Sequence, residues 1–142
     1  MTIYASPCGL LRRFGAILYD AILLLAIVLI ASLPVVIAMD GAADGELWFT
    51  GYVLAIGYVY FAWFWIHGGQ TLGMRTWRIV IIRDDGGRPG WRDCLLRYGV
   101  AIASWLPLAG GFLWGLVDAE KRTLHDLASG TSLVVLPRAN PT

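Results

Sequence analysis

Asp20 is the residue whose type and position most clearly suggest chemistry. It lies near the start of a run, Phe14–Met39, that is otherwise almost wholly apolar and long enough to cross a bilayer. A carboxylate on a membrane helix costs about 2.5–3.5 kcal/mol at mid-membrane and less near the interface, so it normally faces a partner or a water-filled cavity. Asp20 is therefore the candidate ion- or proton-binding residue. The alternative is a structural role, in an ion pair or a hydrogen bond to a neighbouring helix.

Arg13 stands directly before this apolar run, seven residues ahead of Asp20. On a helix the two residues share nearly the same face, about 10 Å apart along the axis. That gap is too wide for a direct ion pair. Arg13 is therefore a charge that sets the membrane topology, or else the partner of a different acid.

A second group of polar residues follows the last apolar segment, at Arg122, His125 and Asp126. His125 is the side chain suited to titrate near neutral pH. A chain so sparing of charge favours one cluster, in which Asp126 meets either Arg13 or an arginine of residues 75–97. No serine or cysteine nucleophile stands in a recognised elbow, so we expect a protein that is not an enzyme.

Composition points to a membrane protein of one domain. The chain is 58% hydrophobic and only 15% charged, with a mean hydropathy of +0.65, whereas a soluble domain has about 25% charged residues. Two cysteines, Cys8 and Cys94, are too few for a metal cluster, and we expect no metal and no cofactor. A cleaved signal peptide over residues 1–39 is disfavoured because the run is too long, carries Asp20 and lacks a small-x-small site.

The hydropathy pattern predicts two transmembrane helices, TM1 over about residues 14–39 and TM2 over about residues 47–66, the second with aromatic residues at both ends. Residues 67–97 form a basic segment expected in the cytoplasm. Within it, residues 76–83 predict a strand, and residues 131–136 predict a second strand. The two should pair, because a lone strand this short is unstable.

Residues 98–117 leave two topologies open. They either cross as a third span or return as an interfacial, re-entrant hairpin broken by the proline and glycines of residues 105–111. The positive-inside rule favours the hairpin, which keeps the basic tail, residues 118–142, in the cytoplasm. The predicted fold is a mainly α membrane protein. It has a transmembrane helical hairpin, amphipathic or re-entrant helices on the cytoplasmic side, and a small two-stranded β pair.

Three ordered motifs resemble a known family: Arg13 with Asp20, the glycine-rich turn of residues 69–78, and residues 122–131. They resemble the RDD family of small bacterial membrane proteins, named for one arginine and two aspartates, over about residues 7–136. The resemblance implies that these three are Arg13, Asp20 and Asp126. Met74 stands where many members carry a lysine. The family is loosely described as transport-related, which implies more about architecture than about chemistry.

Together these features predict a transport-related protein of the bacterial inner membrane, multi-pass and with a cytoplasmic N-terminus. It would move a small cation or proton through Asp20, as an oligomer, because a two-span hairpin is too thin to enclose a pathway. The alternative is a non-enzymatic accessory or assembly protein whose charges stabilise contacts between helices or with a partner. The expected partners are the lipid bilayer and a second copy or another membrane protein, not nucleic acid. The predicted charged cluster comprises Arg13, Asp20, Arg122, His125 and Asp126.

Overall fold

The computed structural model describes residues 6–41, 47–105, 110–119 and 121–137. These residues form a mainly helical fold with a small sheet. In chain order the elements are β1 (Ser6–Pro7), α1 (Leu10–Ala38), α2 (Leu47–Gly68), α3 (Leu72–Thr76), β2 (Ile79–Arg83), α4 (Trp91–Trp105), α5 (Gly110–Val117), α6 (Leu124–Ser129) and β3 (Thr131–Val135).

Among the described residues, α1 and α2 are the helices long and apolar enough to cross a membrane. With 29 and 22 residues, they are about 44 and about 33 Å long, against roughly 30 Å for the hydrocarbon core. The two predicted helices are therefore confirmed as helices. However, α1 begins at Leu10, four residues earlier than predicted, because the extended Gly9 caps it and accepts a hydrogen bond from the Arg13 N–H. Arg13 thus lies in the first turns of α1 and not before it.

The sheet has three antiparallel strands in the order β1-β3-β2. Strands β2 and β3 pair from Ile79↔Val135 to Arg83↔Thr131, which confirms the predicted pair. The prediction of two strands was incomplete, because β1 adds to the free edge of β3. A two-residue strand gives no periodic signal, and Pro7 is tolerated at an edge.

Strand β2 is shorter at its start than the predicted 76–83. Residues 72–76 form the short helix α3, whose first turn is capped by Thr71. Arg78 then takes a positive φ of 57° and turns the chain into the strand. The strand of β-branched residues therefore begins at Ile79, after this turn.

Between β2 and β3 in the chain lie the helices α4, α5 and α6. Helix α4 follows β2, α6 packs on α4, and β3 then pairs with β2. With 15 and 8 residues, α4 and α5 are about 22 and about 12 Å long, so neither reaches across a bilayer. The predicted break over residues 105–111 falls mostly outside the described residues.

A compact apolar core lies at one end of the helical hairpin, where α1 begins and α2 ends; we call it the sheet end. Its fully buried members include Cys8, Ala62, Ile79, Ile81 and Cys94. Beyond this core most large side chains of α1 are exposed. The core therefore fixes the geometry of the sheet end, where the polar residues gather.

Candidate functional site

Asp126 is held between two buried arginines, and we call Arg13, Arg97 and Asp126 the arginine–aspartate cluster. Arg13 Nη1 donates to Asp126 Oδ2 at 2.5 Å, and Arg97 Nη1 donates to Asp126 Oδ1. The two arginines are each 3% exposed and Asp126 is fully buried. The prediction that Asp126 meets an arginine is confirmed, and the carboxylate meets two.

Local sequence explains why Asp126 points into this cluster. Asp126 is the third residue of α6, and its Oδ2 accepts the N–H of Thr123 at 2.9 Å, as in a capping box. The same oxygen is therefore fixed by the start of its own helix and by Arg13. Thr123 Oγ1 lies 3.4 Å from Arg13 Nη1.

Arg13 also fastens two loops to the start of α1. Its Nε donates to the Cys8 carbonyl at 3.2 Å and its Nη2 to the Lys121 carbonyl at 2.9 Å. All three guanidinium nitrogens are thus used. The protein itself thus accepts hydrogen bonds from four of the five N–H groups of Arg13.

Arg97 is the member of the cluster that sequence analysis did not single out. Asp93 stands at i−4 on the same helix, at the spacing of a helical ion pair. However, Asp93 accepts the Gly90 N–H at 2.9 Å and lies 3.6 Å from Arg83. Arg97 Nη1 instead bonds Asp126 and the Thr131 hydroxyl at 2.9 Å, and its guanidinium carbon lies 5.3 Å from the ring centroid of Trp65.

The charges of this cluster shift the titration of its neighbours. Burial alone raises the pKa of Asp126, but the guanidinium groups of Arg97 and Arg13 outweigh it and hold that pKa well below its ordinary value. Burial, followed by the charge of Arg97, lowers the pKa of His125 to about 3, against the opposing influence of Asp126. Asp126 is therefore ionised and His125 neutral at physiological pH.

Asp20 lies in a separate polar group made of uncharged donors. Its Oδ1 accepts the Tyr60 hydroxyl at 3.1 Å and the Gly73 N–H at 2.9 Å, and its Oδ2 accepts the Thr71 hydroxyl. Asp20 is 3% exposed. The predicted single cluster was therefore wrong for Asp20, which bonds the glycine-rich turn instead of an arginine.

The glycine-rich turn of residues 69–78 forms the cradle for Asp20. A Cβ on Gly73 would overlap the Ala16 carbonyl oxygen and come within 2.9 Å of the Asp20 carboxylate, so α3 approaches α1 this closely only with glycine there. Thr71 serves twice, because its hydroxyl also accepts the Met74 N–H at 3.1 Å. The glycine-rich sequence predicts a turn here, but not its contact with Asp20.

The other two predicted residues flank the arginine–aspartate cluster. His125 Nε2 lies 2.9 Å from the Thr123 hydroxyl and 3.9 Å from Asp126 Oδ1. Arg122 donates from Nε to Asp118 Oδ2 at 3.3 Å. His125 thus belongs to the wall of the cluster, while Arg122 is positioned by Asp118 at its edge.

A cavity of about 210 Å³ between α1, α2 and α4 joins the two polar groups. Asp20 lines it together with Arg13, Arg97 and His125, and apolar side chains form most of the remaining wall. At about 30 Å³ for each water, it has room for roughly seven. Among the described residues, no set of three or more His, Cys, Asp or Glu side chains could hold a metal.

The structure predicts strong energetic coupling between Arg13 and Asp126. Asp126→Asn should lower the free energy of unfolding by about 3–5 kcal/mol, because two buried guanidinium groups lose their counter-charge. In a double-mutant cycle with Arg13→Met, thermal or denaturant unfolding in detergent should show about 0.5–3 kcal/mol of non-additivity. Arg88→Met, at an exposed arginine, is the matched control and should add independently. Additive effects for Arg13 and Asp126 would contradict the pair.

His125 predicts an acid-sensitive stability. The unfolded chain protonates this residue below about pH 6.5, whereas the folded protein keeps it neutral down to about pH 3. Stability should therefore fall as the pH drops through this window, by up to about 1.4 kcal/mol for each pH unit. Thermal midpoints measured from about pH 7 to about pH 4.5 check this dependence, because most carboxyl groups titrate below that range. His125→Gln should flatten the dependence of the thermal midpoint on pH, whereas His67→Gln, at an exposed histidine, should leave that dependence unchanged. Equal pH dependence in wild type and His125→Gln would refute the role of His125 in acid sensitivity.

Comparison with known proteins places these motifs in a family. A family model described as the RDD family matches residues 7–130. The chain is also 32% identical over 139 residues to an uncharacterized protein, YckC, of Bacillus subtilis (strain 168). The aligned region covers 92% of this chain and 85% of the relative. No solved structure matches the chain. The matched residues 7–130 include Arg13, Asp20 and Asp126, and the chain belongs to the RDD family.

Proposed function

We propose that the protein is a multi-pass protein of the bacterial cytoplasmic membrane that takes part in moving a small cation or a proton, with Asp20 as the exchanging carboxylate. One observation carries the proposal: Asp20 is a buried carboxylate on the wall of a cavity large enough for several waters. An ionisable residue inside a membrane helix, facing such a cavity, is the usual mark of an ion or proton pathway.

The surface of the molecule supports the membrane placement. Helix α1 exposes large apolar side chains over most of its length, and both long helices are long enough to span. Exposed arginines gather at the sheet end, which by the positive-inside rule is cytoplasmic: Arg12, Arg75, Arg83, Arg88 and Arg92. The N-terminus is then cytoplasmic, and α4 and α5 re-enter from that side without crossing.

The environment of Asp20 suits reversible binding. The hydroxyls of Tyr60 and Thr71 donate to the ionised carboxylate, but each also carries lone pairs and rotates. When a cation arrives at Asp20, the hydroxyls can turn to offer oxygen atoms, the ligands that hard cations prefer. The Gly73 N–H stays fixed and holds the carboxylate in place during the exchange.

Charge balance couples Asp20 to the arginine–aspartate cluster. Two arginines share one carboxylate, so the cluster has one positive charge in excess. In a region of low dielectric, where charges interact strongly, that excess repels a cation that binds at Asp20 on the wall of the same cavity. The cluster thereby limits the residence of a bound cation.

Oligomerisation follows from the thinness of the fold. Two long helices do not enclose a path across a bilayer, and the exposed apolar faces of α1 are available for a second copy as well as for lipid. We propose that a complete pathway is built between copies, each contributing one Asp20.

A second function is favoured by the way Asp20 is satisfied. Its oxygens accept three hydrogen bonds from the protein itself, and Asp126 pairs internally with both arginines. A carboxylate in a purely structural role would look the same. The alternative is therefore a non-enzymatic accessory or assembly protein, whose internal charges hold a shape that a partner membrane protein recognises.

The Asp20→Asn variant separates these two functions. The amide oxygen still accepts from Tyr60 and Gly73, and the amide nitrogen can donate to the Thr71 hydroxyl. We expect a folded protein destabilised by about 1–3 kcal/mol. In proteoliposomes carrying a pH-sensitive dye and an imposed sodium or proton gradient, flux should fall to the level of protein-free vesicles.

The matched control is Asp40→Asn, an exposed carboxylate at the far end of the same helix. It should keep wild-type flux. Equal flux from wild type and Asp20→Asn, or no flux above empty vesicles from wild type, would remove the transport proposal. In that case, co-purification of a membrane partner that depends on Asp20 would support the accessory role.

Labelling of single cysteines in intact cells tests the membrane topology. Cys8 and Cys94 are fully buried, and burial raises the pKa of both thiols, so they should react slowly. A membrane-impermeant maleimide should label Asp40→Cys from outside. Asp85→Cys and Ala119→Cys should react only after permeabilisation. Labelling of Ala119→Cys from outside would mean that residues 98–117 cross as a third span.

A further inference from the structure

We propose that the end of the cavity at Arg97 and Trp65 binds the acidic headgroup of an anionic amphiphile, a molecule with a phosphate or carboxylate and an apolar chain. This site is distinct from the oxygen ligands around Asp20. It requires no transport activity, and so it stands or falls separately from the function proposed above.

Two buried donors at this end of the cavity have capacity for a ligand. The Trp65 side chain is 8% exposed, and its Nε1–H is buried without a hydrogen-bond partner among the described residues. The hydrogen bonds of Arg97 to described residues all leave from Nη1. Its Nε and Nη2 thus remain available, on a side chain that is 4% exposed.

An acceptor stabilises this end of the cavity, because the buried N–H of Trp65 costs about 1–3 kcal/mol while it is left unbonded. A negatively charged oxygen satisfies both donors and also offsets the excess positive charge of the arginine–aspartate cluster. Hydrogen bonds between a guanidinium and a phosphate or carboxylate are the strong, charge-assisted kind. Asp20 lines the same cavity and repels an anion, but its oxygens are occupied by Tyr60, Thr71 and Gly73.

The rest of the wall selects an apolar chain. Ile17, Phe61, Ala101 and Ile102 line the cavity between α1, α2 and α4. Ile102 also reaches the exposed surface of α4, so the cavity opens where an embedded protein would meet lipid. A volume of 210 Å³ is well below the roughly 300–1,000 Å³ of sites that enclose a whole small molecule. The cavity therefore holds the headgroup end of the amphiphile, and its apolar chain continues outward along the helices.

Binding to the purified full-length protein in a neutral detergent tests the proposal. Native mass spectrometry would count bound oleate and dioleoyl phosphatidylglycerol, with oleyl alcohol and inorganic phosphate as comparison probes. We expect one oleate or one phosphatidylglycerol per chain, with oleyl alcohol at least about tenfold weaker, since it lacks the charge. Binding of one acidic probe but not the other identifies the source of the headgroup. Oleyl alcohol binding as tightly as oleate, or displacement of oleate by millimolar phosphate, would overturn an amphiphilic site.

Two variants locate the site. Ala101→Phe fills the cavity and should abolish binding, whereas Ala103→Phe, on the exposed side of the same helix, should retain it. Trp65→Phe keeps an aromatic ring against Arg97 but removes the N–H, and should weaken oleate binding by up to about tenfold. Size exclusion and the thermal midpoint show whether Ala101→Phe folds. If it does not fold, oleate binding by Trp65→Phe tests the site instead. Wild-type affinity in a folded Ala101→Phe, or in Trp65→Phe, would refute the proposal.

Discussion

The ionised Asp126, shared by Arg13 and Arg97, is the interaction on which the sheet end depends. It joins residues 113 and 29 positions apart along the chain, and so brings the start of α1, the middle of α4 and the start of α6 to one point. Through Arg13 it also reaches the carbonyl of Cys8, next to β1. A buried ion pair is weak support for stability in itself, because desolvation offsets most of the attraction. Its contribution here is specificity, since any other arrangement of these segments would bury an unpaired charge.

The two aspartates of the motif differ in what their surroundings allow. Asp126 faces guanidinium groups and a backbone N–H, which hold it ionised and fixed in one position. Asp20 faces two rotatable hydroxyls and one N–H, none of them charged. Only the second environment can accept a cation or proton without breaking an ion pair. The division of roles follows from the donors and not from the carboxylates, which are chemically the same.

Sequence reasoning succeeded where a single physical pattern dominates. Continuous hydrophobicity predicted both long helices, and scarcity of charge predicted that Asp126 would pair with arginine. It failed where the decisive contact is made by backbone or by small residues. The N–H of Gly73 and the hydroxyl of Thr71 carry no signal that they should meet Asp20, and β1 is too short for periodicity. Arg97 was one of several arginines of residues 75–97 that could meet Asp126, and only the tertiary contact between α4 and α6 selects it.

The shared cavity makes its two ends electrostatically dependent on each other. The arginine–aspartate cluster has one positive charge in excess, and Asp20 lines the same cavity. The anionic headgroup that we propose at Arg97 and Trp65 would neutralise that excess. It would also attract a cation at the proposed site on Asp20, because charges interact strongly in a region of low dielectric. Lipid composition would in this way change the affinity of the proposed cation site, since both ends line one cavity of about 210 Å³.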